Sequence, residues 1–84
     1  MADNKVTYSR HARGRMKLYD ISEEDVEEVL AKPDIGPETE EDRFIAVRKL
    51  KGKFKEMPLK VVYVIEESKI VVISAYPLKK SYKR

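Results

Sequence analysis

Three runs rich in valine, isoleucine and tyrosine crowd the second half of the chain: RFIAVRKL (Arg43–Leu50), LKVVYVIE (Leu59–Glu66) and KIVVISAY (Lys69–Tyr76). β-Branched and aromatic residues at this density suit strands of a half-buried or fully buried sheet. The connections between them are short. KGK follows the first run, Glu67-Ser68 joins the second to the third, and Pro77 ends the third. Short turns leave no room for the crossover that a parallel pair needs, so the three strands form an antiparallel meander. The segment FKEMP is longer than a tight hairpin requires, and Pro58 is expected to mark a bulge or a sheet edge. VTY, near the N-terminus, offers a short extra strand.

Two helices precede the meander. Ser9 is placed to cap the first, whose body runs from about Arg10 to Leu18. Ala12, Met16 and Tyr19 recur at helical spacing and are expected to face the core, with Leu18 beside them. Gly14 weakens this helix by about 1 kcal/mol relative to alanine. It is either tolerated there or lets another segment approach closely. Ser22 caps the second helix, Glu23, Glu24 and Asp25 place negative charge on the positive end of its dipole, and Asp25 stands where a capping box needs a carboxylate. Ile21 packs on Val26 as a hydrophobic staple, and Val26, Val29 and Leu30 make a narrow apolar stripe. Pro33 disfavours helical geometry at Lys32 and stops the helix. KPDIGPETEED then reads as an exposed loop. The expected fold is α+β, in the order (β)ααβββ: two N-terminal helices on one face of a three- to four-stranded antiparallel sheet, the other face left to water or a ligand.

At 84 residues the chain has room for one domain with one modest core. Its ordered part is expected over about residues 8–78, followed by the basic tail 79–84. With no cysteine it has no disulfide or thiolate chemistry, which fits an intracellular setting. No apolar run approaches membrane-spanning length and the first residues lack the apolar block of a signal peptide, so a cytoplasmic location is expected. Charged residues make up 39% of the chain, glutamine is absent and Asn4 is the single asparagine, a pattern of thermophile proteins. The net charge of +3 hides segregation. Acid gathers in Glu23–Glu28 and Glu38–Asp42, base in Arg10–Lys17, Arg48–Lys60 and Lys79–Arg84, an arrangement that favours an anionic partner such as nucleic acid.

The stretches YSRHARGRMKLYDISEEDVEEVLAKPD, RFIAVRKL, LKVVYVIEE and KIVVISAYP together resemble an uncharacterised family of short prokaryotic domains. Its members share a His-Ala-x-x-Arg-Met opening, an Ile-Ser-x-x-x-Val second helix and a valine-rich hairpin ending near a tyrosine. Here these are His11-Ala12 with Arg15-Met16, then Ile21-Ser22 with Val26. The resemblance runs from Tyr8 to about Pro77. In element order that family is similar to the RelE-like toxins, small ribonucleases that cut RNA without a metal and are often held inactive by an antitoxin. The resemblance therefore implies a RelE-like fold, RNA and an antitoxin-like protein as partners, and no cofactor. RelE-like sites draw on variable sets of Lys, Arg, Tyr, His and Glu, so no fixed motif carries over.

Metal-free cleavage needs a base for the 2′-OH proton, an acid for the leaving 5′-oxygen, and cations for the charge on phosphorus. His11 and Arg15, four apart, share one helix face. The helix N-terminus and the surrounding arginines disfavour a charged imidazole, leaving His11 free to accept a proton and Arg15 to grip a phosphate. Free N–H groups at that helix end add to the anion site. An exposed histidine in a salt-bridged helix is the plainer alternative.

From the sheet come Arg48, Lys60, Tyr63 and Tyr76. Alternation places Leu59, Val61, Tyr63 and Ile65 on one face and Lys60, Val62, Val64 and Glu66 on the other. If the helices cover the first set, Tyr63 is a core aromatic and Lys60 faces outward; otherwise their roles exchange. Packing is the stronger reading for either tyrosine. Arg48, in an otherwise apolar strand, is assigned to the ligand face. The tail, with Tyr82 among its cations, is either a frayed terminus or a strip along a phosphate backbone. A single histidine, no cysteine and an acidic run without calcium-loop spacing argue against a metal site.

The expected activity is that of a metal-independent endoribonuclease or toxin-like protein, with His11, Arg15, Arg48, Lys60 and Tyr76 as its site. The alternatives are a non-catalytic RNA- or protein-binding module of the same fold, and a self-associating homodimer built through an uncovered sheet face or edge.

Overall fold

Extended backbone at Ser9 lets its hydroxyl accept the Ala12 N–H, and the chain enters a helix at the next residue. In this computed structural model, which describes residues 6–50, 52, 54 and 57–78, the elements are β1 (Val6–Tyr8), α1 (Arg10–Tyr19), α2 (Glu23–Ala31), β2 (Ile35–Glu40), β3 (Arg43–Lys49), β4 (Pro58–Glu66) and β5 (Lys69–Pro77). The fold is α+β. The tail 79–84, and parts of the KGK and FKEMP connections, lie outside the described residues.

α1 ends at Asp20, whose left-handed backbone (φ 58°, ψ 47°) turns its N–H onto the carbonyls of Met16 and Lys17. The expected capping box of α2 is present: the Ser22 hydroxyl accepts the Asp25 N–H at 3.0 Å, and the Asp25 carboxylate accepts the Ser22 N–H at 3.1 Å. A side chain added at Gly14 would meet nothing within 4 Å, so that glycine is simply tolerated.

The sheet order is β1-β5-β4-β3-β2, and β3, β4 and β5 form the expected antiparallel meander. Glu67 and Ser68, with φ of 53° and 66°, close the β4–β5 hairpin in the mirror-image turn whose twist suits paired strands. Two features enlarge the sheet beyond the sequence expectation. β1 pairs with β5 in parallel, from Val6 opposite Ile70 to Tyr8 opposite Val72, because both helices and three strands intervene and serve as the crossover. IGPETE, read from sequence as a loop, is an edge strand antiparallel to β3. An edge tolerates proline and charge, which made the segment look irregular. Gly36 (φ 98°) lies where a β-carbon would run into the Ile45 carbonyl oxygen, so only glycine lets β2 lie this close. The sheet is therefore five-stranded and mixed rather than three- to four-stranded and antiparallel.

Pro58 is the first residue of β4, opposite Lys49, and is not bulged. The bulge falls on β5. Val62 pairs with Ser74 but Tyr63 with Val72, so Ile73 is the extra residue.

The helices cover the face bearing Leu59, Val61 and Tyr63. There Ala12, Met16, Ile21, Val26 and Val29 pack on Ala46, Leu59, Val61, Tyr63, Val72 and Ala75. Tyr63 stacks on Phe44 with ring centroids 5.5 Å apart, and burial raises its pKa. Leu18 and Tyr19 do not join this core, being 70% and 37% exposed. Leu18 lies about 200° around the helix from Met16, and Tyr19 falls in the last turn before Asp20 diverts the chain. Among the described residues no helix is long and apolar enough to cross a membrane.

Tyr8 presents an alkaline signature. Its hydroxyl is buried without a hydrogen-bond partner, and burial, reinforced by the Glu27 and Glu23 carboxylates against a lowering effect of Arg13, pushes its pKa from 10.0 to about 12. The folded protein thus holds this proton longer than the unfolded chain. Stability from this group is complete below pH 10.0 and is lost as the pH rises towards about 12. Denaturation midpoints across that range are expected to fall less steeply in Tyr8→Phe. Identical slopes would show that the phenol is not held this way.

Candidate functional site

Because β1 stops at Tyr8, the second half of β5 has no strand beyond it. α1 occupies that margin, fixed by the Ser9 N–H on the Val72 carbonyl at 3.0 Å and the Ser9 hydroxyl on the Ile73 carbonyl at 3.1 Å. Ala12 and Met16 turn to the core side, which leaves His11 and Arg15 at the border of the opposite, helix-free face.

On that face they meet residues of the sheet. Arg15 donates from Nε to His11 Nε2 at 3.4 Å, a long hydrogen bond in which the imidazole nitrogen is the acceptor. The Arg15 guanidinium lies 5.5 Å from the centre of the Tyr76 ring, and Lys60 Nζ lies 5.6 Å from it. Lys60 and Tyr76 are direct cross-strand partners in the β4–β5 register. Two shallow clefts adjoin here. One, about 610 Å³, is lined by His11, Arg15, Arg43, Val62, Ile73, Ser74 and Tyr76. The other, about 300 Å³, is lined by Glu40, Glu41, Arg43, Ile45, Lys60, Val62 and Tyr76. They share Arg43, Val62 and Tyr76 and form one groove across the sheet.

Four of the five residues expected at the site are thus brought together: His11, Arg15, Lys60 and Tyr76. Arg48 is not. It pairs with Leu59 on the helix-covered face, where its Nη1 donates to the Lys32 carbonyl at 2.8 Å and its guanidinium pairs with Glu28 and Asp34, each at 3.5 Å. This corrects its assignment to the ligand face. Arg48 fastens the end of α2 to β3, the Lys32 carbonyl being one that the helix cannot satisfy itself. Asp34 completes the latch by accepting the Lys49 N–H at 2.9 Å. Arg48→Ala is expected to destabilise the fold by about 0.5–1.5 kcal/mol, the usual net worth of such partly exposed contacts. Chemical denaturation of the variant beside the parent protein checks it.

Arg43 and Ser74 take the place that sequence reasoning gave to Arg48. The signal for Arg43 was available: five residues apart on one strand, Arg43 and Arg48 must point to opposite faces, and Arg43 goes with Ile45 and Val47. Ile45, 8% exposed and outside the helix-side core, lines the groove with Val62, which gives it an apolar floor. Arg15, Arg43 and Lys60 enter no ion pair among the described residues. Arg13, by contrast, is held by Glu23 at 3.1 Å and lies over the Tyr8 ring, away from the groove.

The arrangement offers a proton acceptor, a phenol and three cations around an apolar floor, which suits an anionic ligand carrying flat rings. No curated protein matches the chain. A family model does, over residues 8–77, nearly the whole chain and the same span on which the His-Ala-x-x-Arg-Met resemblance rests. The chain belongs to the family described as Domain of unknown function (DUF4258).

Proposed function

We propose that the groove binds single-stranded RNA and cuts it without a metal, in the manner of the RelE-like toxins that the element order resembles. The convergence of His11, Arg15, Lys60 and Tyr76 on one face, with Arg43 beside them, carries the reading. His11 Nε2 takes the proton of a ribose 2′-OH once its long bond from Arg15 Nε gives way and that guanidinium turns to the phosphate. The freed oxygen attacks the adjacent phosphorus, the 5′-oxygen leaves with a proton from the Tyr76 hydroxyl, and a 2′,3′-cyclic phosphate remains. Arg15 and Lys60, the cations beside Tyr76, hold the phosphate and balance the charge that grows on its oxygens. An antitoxin-like partner would silence the protein by covering these cations.

One observation favours a non-cleaving version of the same groove: among the described residues the only hydrogen-bond partner of the His11 ring is Arg15, and no carboxylate orients it. The discriminating experiment is incubation of labelled single-stranded RNA with the protein in a chelator. Fragments ending in cyclic phosphate support cleavage. Binding that weakens steeply with salt while the RNA stays whole supports a binding module. RNA that is neither bound nor cut removes both.

A further inference from the structure

The two ends of the groove differ in charge. His11, Arg15 and Lys60 gather around Tyr76, Lys60 also lining the smaller cleft, whereas Glu40 and Glu41 stand at the other end of that cleft, at the β2–β3 hairpin. The register puts Glu40 directly across from Arg43 and on its face of the sheet. Neither carboxylate enters an ion pair among the described residues. A phosphate is attracted to the first end and repelled from the second. A chain lying in the groove therefore has its backbone at the α1 end and something other than phosphate at the hairpin.

The smaller cleft has the make-up of a base pocket. Its 300 Å³ falls at the bottom of the range for small-molecule sites, of order 300–1,000 Å³. Ile45 and Val62 give apolar surface for a flat ring, while Arg43 and Glu40 place a forked donor and a two-oxygen acceptor at the same mouth. Bases differ in how they meet such a pair. Guanine alone presents two parallel N–H donors, N1 and N2, beside the acceptor O6. Adenine and cytosine each set one amino group beside an acceptor nitrogen, and uracil has a single N–H between two carbonyls. Each of these would turn an acceptor towards the second carboxylate oxygen, which is the mismatch that gives a site its selectivity.

We infer that the cleft between Glu40, Arg43 and Tyr76 is a nucleobase pocket selective for guanine, Glu40 accepting from N1–H and N2–H and Arg43 donating to O6. The inference rests on the RNA reading above and specifies its substrate.

The test uses the full chain and uridine oligonucleotides with one central base varied among the four, all 2′-O-methylated so that no nucleophile is available for cleavage. Affinity is read by fluorescence anisotropy. The guanine-bearing oligomer is expected to bind about tenfold or more tighter than the other three, the discrimination of one good bidentate pair. Glu40→Gln, an exposed site where folding is not at stake, replaces one acceptor oxygen by a donor. It is expected to erase the preference while affinity for plain oligouridine holds or rises, since a negative charge has gone. Four equal affinities, or a preference that survives in E40Q, would overturn the guanine pocket and leave RNA binding intact. Failure to bind any oligomer would overturn both.

Discussion

His11→Ala is expected to lower the rate of the proposed RNA cleavage by about 10²–10⁴-fold, the usual contribution of a positioned general base. Affinity for RNA is expected to stay close to that of the parent protein. The reasons lie in the geometry. His11 is exposed and outside the core, so its loss opens no cavity. On the proposed reading two cations remain to hold phosphate, Lys60 and Arg15, the latter losing its bond to the imidazole but keeping its place over the Tyr76 ring. Arg15→Ala is expected to behave differently, weakening binding and reducing its salt dependence. Single-turnover cleavage with protein in excess separates the chemical step from binding, and circular dichroism establishes that the fold is intact. An unchanged rate in the His11 variant would remove the imidazole from the reaction.

Leu59→Ala carries the largest expected effect on stability. Leu59 is fully buried, directly across from Arg48 on β3 and from Pro77 on β5. Truncating a leucine in such a place costs about 2–5 kcal/mol, because the cavity left behind closes only in part. The whole stability of a domain this size is about 4–12 kcal/mol. The melting temperature is therefore expected to fall by roughly 10–30 °C. A thermal melt followed by far-ultraviolet circular dichroism checks it; a shift of only a few degrees would mean that the sheet closes over the vacancy. The site variants His11→Ala and Arg15→Ala serve as comparison, since neither touches this core.

The helical half of the fold was legible because its signals are local. Ser9 and Ser22 cap where their neighbours say they should, and Ala12, Met16, Val26 and Val29 keep to the spacing of one buried face. The meander was legible for the same reason, its turns being short. What escaped depends on contacts between distant segments. β2 is a strand only because β3 pairs with it, and its own residues, proline and glutamates among them, argue otherwise. The parallel docking of β1 beside β5 joins residues more than sixty positions apart and leaves no local trace.

The site shows the same division. His11 and Arg15 follow from helical spacing. Arg48 and Tyr76 turn on strand alternation: a count from Arg43 sends Arg48 to the helix side, against its assignment to the ligand face, whereas a plain count along β5 would have sent Tyr76 there too. Counted in twos from Ile70 and Val72, Tyr76 belongs with the core; the extra residue at Ile73 shifts the count and delivers the ring to the open face. Nothing in KIVVISAY announces that step.

The placement of α1 along the free margin of β5 means that the groove is a seam, one lip made of helix and the other of sheet. Its width is then governed from behind, by how closely Ala12, with no surface exposed, lets the helix lean on the strand. A bulkier residue there would pry the lips apart and part Arg15 from Lys60 without altering a single side chain that lines the groove.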